Sequence, residues 1–159
     1  MFSYVLGVTA AGREWVDAVA RRPVAWVGAV ALWAEAAGIA LLNWFLGLVV
    51  DDQDMSLAGL DPHAMTVSTW IAGAVFGLYL ALCGLVLART AVRDRGPGSF
   101  GKILLISAAV VHGLLGAFAI GLVGWLAFFS LMVVLGLIVL TLVAYDRPFS
   151  PCVPSPTSP

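Results

Sequence analysis

The sequence predicts an all-α protein, a four-transmembrane-helix bundle with both termini inside (N-in/C-in) and an N-terminal in-plane amphipathic helix. Three observations predict it. Hydrophobic residues make up 62% of the chain and charged residues only 11%, whereas a soluble domain is roughly half apolar and about a quarter charged. Lipid is therefore the expected solvent. Long apolar stretches fill most of the 159 residues, and the segments between them alternate in charge. Arg13, Arg21 and Arg22 precede the first stretch, Arg89, Arg93, Arg95 and Lys102 flank the loop between the second and third, and Arg147 follows the fourth. The loop between the first and second holds Asp51, Asp52, Asp54 and Asp61 and no Lys or Arg. Cytoplasmic loops near membrane ends carry the basic excess. All eight basic residues then share the inner side.

In residues 1–22, Val8, Ala11, Trp15 and Val19 recur at helical spacing, and Arg13, Asp17 and Arg21 repeat on another face. Such a segment suits the headgroup plane, with i, i+4 charge pairs along it. The transmembrane domain is expected over 23–147. Its first span, 24–50, opens at Pro23, a residue that fits the first turn of a helix because it lacks an N–H. That span reaches about 40 Å, longer than a hydrocarbon core of about 30 Å, and should tilt or protrude. The second, 67–88, follows Asp61 and Pro62 and stops at Arg89.

From Ile103 to Tyr145 the chain is one apolar run, and a single helix of that length would extend about 64 Å. It must fold back. A turn over Gly121, Leu122, Val123 and Gly124 leaves spans 103–121 and 125–145, with Trp125 and Tyr145 at the two interfaces where amphipathic rings collect. Residues 93–101, with Gly96, Pro97, Gly98 and Ser99, form the inner connector. The Pro- and Ser-rich tail, 148–159, is expected to stay solvated and disordered.

Composition and motifs exclude several functions. A net charge of −1 gives no reason for a nucleic-acid partner. Cys83 reads as a small packing residue and Cys152 falls in the cytosolic tail, so no disulfide is expected. The N-terminus lacks the basic n-region of a cleavable signal. Neither HExxH, CxxC, a phosphate-binding glycine loop nor a Ser, His and Asp constellation occurs, so the chain reads as a non-enzyme. His112 has no second intramembrane histidine, and no cofactor is expected. In the outer loop, Asp51, Asp52, Asp54, Asp61 and His63, near Met55 and Met65, match neither an EF-hand nor a zinc spacing. That loop is read as solvated acid, with no metal.

Glu35 is the anomaly. It lies about 18 Å along its helix from Pro23, near the bilayer centre, where an acid costs about 2.5 to 3.5 kcal/mol even on the gentler insertion scale. His112 lies about 15 Å up the third helix from Lys102, and Tyr79 about 14 Å from Ala88 on the second. The three therefore share one layer and are expected at the bundle centre, with Asn43 about 80° around the first helix extending the polar track outward. Two roles stay open for this layer: interhelical hydrogen-bonded glue, or a proton and cation pathway. Close packing is expected where small residues repeat, at Gly73 and Gly77 on the second span and at Ala109, Gly113, Ala117 and Gly121 on the third.

Around the acid, Ala34-Glu35-Ala36-Ala37-Gly38-Ile39-Ala40-Leu41-Leu42 resembles the first helix of the small multidrug resistance family. In that family a membrane Glu, followed three positions later by Gly, exchanges protons for cationic drugs; the resemblance implies that role for Glu35 and Gly38. It stops at this stretch, because the chain adds an N-terminal segment, an acidic outer loop and a Pro-rich tail. As a whole the chain resembles small four-span integral membrane proteins of actinomycete-type bacteria. Lys102 as the one lysine, beside abundant Ala, Gly and Val, matches GC-rich bacterial coding. Expected, then, is a multi-pass protein of the bacterial cytoplasmic (inner) membrane, an accessory, scaffold or oligomer-forming component. Its expected partners are the lipid bilayer and either further copies or another membrane protein. The alternative is a small proton-coupled transporter or channel using Glu35.

Overall fold

A segment surrounded by lipid must satisfy its backbone polar groups internally, and a long apolar run does so as a helix. The computed structural model describes residues 2–53, 59 and 61–146, with side chains for 20–53, 59 and 61–145. It contains helices α1 (Phe2–Asp52), α2 (Pro62–Arg93), α3 (Ser99–Leu122) and α4 (Trp125–Asp146), and no strand among the described residues. All four are long and apolar enough to cross a membrane, over Ala20–Asp52, Pro62–Arg93, Ser99–Leu122 and Trp125–Tyr145. The architecture is that of a four-helix bundle compatible with a multi-pass membrane protein. The faces expected within residues 2–19, the acidic loop around Asp54 and Met55, Arg147 and the tail 148–159 with Cys152 lie outside what is described.

The helix ends follow local chemistry. α1 does not begin at Pro23: one helix runs through it from Phe2. Proline inside a helix removes one i→i−4 bond and favours a bend, but a single missing bond does not end the helix. α2 starts at Pro62, with the Asp61 carboxylate accepting from the His63 backbone N–H at 2.9 Å, which caps an otherwise orphaned donor. It ends at Arg93 and is capped by Asp94, whose φ of 48° and ψ of 37° are left-handed. Both ends pass the apolar limits of 67–88, because the helix continues through polar residues that hydropathy alone would exclude. Between α3 and α4 the turn falls at Val123 and Gly124, where both N–H groups reach back to the Ala119 carbonyl at 2.9 and 2.8 Å. Gly124 has φ 115°, a conformation that a side chain would strain.

α1 and α2 pack along their whole common length as an antiparallel pair, and missing side chains make this possible. A Cβ on Gly84 would lie 2.7 Å from the Trp33 ring and one on Gly77 3.2 Å from the Ala36 carbonyl. Gly73 is closed by Asn43, and Gly47 by the Trp70 ring. The indole N–H of Trp33 donates to the Ala81 carbonyl (3.2 Å) and that of Trp70 to the Trp44 carbonyl (3.3 Å). α3 and α4 form the second pair, with Gly116 against Met132 and Phe128.

The two pairs share one core, built from Ala29, Leu32 and Ala36 of α1, Leu80, Cys83 and Leu87 of α2, Leu105 and Ala108 of α3, and Val134 and Ile138 of α4. It occupies the half of the bundle nearer Asp94. Beyond Ala36, Leu80, Ala108 and Val134 the pairs no longer bury a common core.

Replacing Gly77 by Leu should therefore lower the unfolding free energy in denaturing detergent by about 1–3 kcal/mol, the usual overpacking cost. Gly121→Ala, with nothing within 4 Å, should leave it within about 0.5 kcal/mol. Equal losses for the two variants would contradict this packing.

Candidate functional site: a carboxyl–imidazole pair

α1 brings Glu35 one turn beyond Leu32, at the margin of the shared core, and α3 brings His112 one turn beyond Ala108. His112 Nε2 lies 2.8 Å from Glu35 Oε2. The imidazole is 2% exposed and the carboxyl 22%. His112 belongs to the buried stripe of α3, with Gly101, Leu105, Ala108, Gly116 and Ala119. The bond thus links one helix of each antiparallel pair.

The other ring nitrogen fixes the proton count. His112 Nδ1 lies 2.7 Å from the Ala108 carbonyl, and a carbonyl oxygen can only accept. Nδ1 must therefore carry a hydrogen. The 2.8 Å contact at Nε2 then needs one further proton, held either by the imidazole facing a carboxylate or by the carboxyl facing a neutral imidazole. Both forms are neutral overall. A neutral pair lowers the desolvation cost that an isolated carboxylate would meet at this depth. Chemically, the arrangement holds one transferable proton between two groups, one of them buried and the other partly open.

Tyr79 and Asn43 take other partners. The Tyr79 hydroxyl is 2.7 Å from Ser107 Oγ, a second bond between the pairs that joins α2 to α3, and Ser107 itself donates to the Leu104 carbonyl at 2.8 Å. Cys83 adds a weak contact, with Sγ 4.0 Å from the Leu104 carbonyl. Asn43 donates to the Ile39 carbonyl of its own helix at 2.9 Å and packs on Gly73. It faces α2, away from the pair. Of the small-residue positions, Gly73 and Gly77 meet α1, and Ala109 packs against the core. Gly113 and Gly121 have nothing within 4 Å and Ala117 is exposed, so that edge of α3 is uncovered among the described residues.

A second polar cluster closes the opposite end of the shared core. Asp94 accepts from the Tyr145 hydroxyl at 3.3 Å and faces Arg22 Nε at 3.5 Å and Arg21 Nε at 3.8 Å. One carboxylate so gathers α1, the end of α2 and the end of α4. Sequence reasoning missed both Ser107 and Asp94, although an acid inside an arginine-rich connector was a visible signal. Gly38, the other residue of the first-helix resemblance, has nothing within 4 Å. The chain matches no protein-family model, no curated protein and no solved structure.

Nitrogen-15 NMR of histidine-labelled protein in bilayers should find His112 protonated at Nδ1, with Nε2 either sharing or accepting a proton. A neutral ring protonated at Nε2 alone would refute the assignment.

Proposed function

We propose that this chain is a non-enzymatic, multi-pass component of a bacterial cytoplasmic membrane, a scaffold that assembles with further copies or with another membrane protein. The observation that carries the reading is the Glu35–His112 contact at 2.8 Å. The most costly side chain in the hydrocarbon has its partner inside the chain, where it ties two helix pairs together. Assembly draws support from the small-residue edge of α3 at Gly113, Ala117 and Gly121, uncovered among the described residues and suited to the close approach of another helix. The connector bearing Arg89, Arg93, Arg95 and Lys102 is cytoplasmic in this reading, following the charge asymmetry. In the same reading the segment before Pro23 lies along the cytoplasmic face, which requires α1 to bend, and the bond that Pro23 lacks makes it the position where a bend costs least.

A second reading rests on a specific observation, the partial exposure of Glu35 beside a buried His112. A proton carrier needs such access on one side, and the first-helix resemblance implies a carrier role for Glu35. Glu35→Gln separates the two, because an amide N–H still donates to Nε2 but carries no exchangeable acid. Two assays of protein in liposomes, proton flux under an imposed gradient and mass of the assembled species, give the decision. The scaffold reading expects no Glu35-dependent flux, intact assembly in Glu35→Gln and lost assembly in Glu35→Ala. Flux in the parent protein that vanishes in a fully assembled Glu35→Gln variant would replace the scaffold with the carrier.

A further inference from the structure

Among the described residues, the Asp94 cluster has more guanidinium donors than acceptors. Two guanidinium groups, Arg21 and Arg22, face one carboxylate, and that carboxylate also accepts from Tyr145. The Arg21 Nε is buried and has no hydrogen-bond partner among the described residues. Its guanidinium lies over the Tyr145 ring, 5.6 Å from the centroid, a position that holds the cation without satisfying its donors. A buried donor left unpaired costs free energy until an acceptor arrives. Arg93 and Arg95 flank Asp94 in sequence and add to the excess of cation.

The depth of the cluster says what could supply the acceptor. α2 ends at Arg93 and α3 begins at Ser99, so Asp94 stands between the ends of two long apolar helices. Arg21, Arg22 and Tyr145 contact Asp94 and therefore share its level, that of the headgroups for helices that span a bilayer. Arg22 is reachable, with 55% of its side chain exposed. Below it on the same helix face follow Trp26 and Val30, both exposed. Arginine for a phosphate, an indole at the interface and an aliphatic side chain deeper in form the sequence of environments that a phospholipid passes through.

We propose that Arg21 and Arg22 bind the phosphodiester of an anionic phospholipid, which competes with Asp94 for their guanidinium groups while an acyl chain lies along Trp26 and Val30. The two non-bridging oxygens are acceptors matched to the guanidinium fork. An anionic lipid fits the cationic excess, whereas a zwitterionic one brings an ammonium or choline cation to the same place. Asp94 sets the affinity by occupying the site when lipid is absent. The inference is independent of the scaffold reading, since it needs only a bilayer.

The test uses the full chain in detergent micelles and follows the thermal unfolding midpoint against added phosphatidylglycerol, phosphatidylcholine or inorganic phosphate. Phosphatidylglycerol should raise the midpoint and the other two should not. Arg22→Gln should need about fivefold more phosphatidylglycerol for half-saturation, the effect of one basic group near an anionic surface. Arg22→Lys should recover only part of that, since it keeps charge and loses the fork. Asp94→Asn should half-saturate at lower lipid than the parent. An equal response to phosphatidylcholine, an equal response to phosphate alone, an unchanged Arg22→Gln variant or a weaker-binding Asp94→Asn variant would each overturn the proposal.

Discussion

A carboxyl group set in the middle of a long apolar helix is the constraint around which this bundle is organised. Glu35 and His112 satisfy it by sharing a proton, and the Ala108 carbonyl makes that sharing obligatory by holding the second ring nitrogen as a donor. Because the pair is neutral overall in either form, it can sit where the shared core ends without a net charge. It also joins α1 to α3, elements that otherwise belong to separate antiparallel pairs. Loss of either partner strands the other in a medium that offers no substitute hydrogen bond.

The packing around the pair is graded along the bundle. At the Asp94 end, one carboxylate gathers three helices and the apolar core is continuous. At the other end, α1 stays on α2 through Asn43 against Gly73 and the stacked Trp44 and Trp70 rings, 5.2 Å apart, but the two helix pairs share no buried core. Glycine allows the close approach within a pair, whereas polar side chains provide specific links between pairs: Glu35 to His112, and Tyr79 to Ser107. In lipid, where apolar surface gains little by leaving its solvent, such bonds and close contacts decide which helices meet.

Much of this was legible in the residues. Apolar length alone gave four helices, since the run from Ile103 to Tyr145 cannot span once, and paired glycines marked where it turns. Pro23 misled because its missing N–H suits a helix start and is also tolerated within a helix. Counting rise per residue placed Glu35 and His112 at one depth, and the structure pairs them. Depth says nothing about rotation, however. Tyr79 at a similar level bonds Ser107, and Asn43 turns toward Gly73, because the azimuth of each side chain depends on how the helices face one another. The Ala109, Gly113, Ala117 and Gly121 spacing is real, yet among the described residues it marks an edge of α3 that is covered only at Ala109. Asp94 escaped notice because the rule that orients membrane segments counts Lys and Arg and overlooks a lone acid among them.

The central claim is that Glu35 and His112 act as one unit, and a double-mutant cycle measures it directly. Glu35→Ala, His112→Ala and the double variant would be unfolded in denaturing detergent alongside the parent protein. A coupling free energy at or above about 1 kcal/mol, with the double variant little worse than either single one, is the predicted result. Losses that add to within about 0.3 kcal/mol would show two independent side chains and contradict the account.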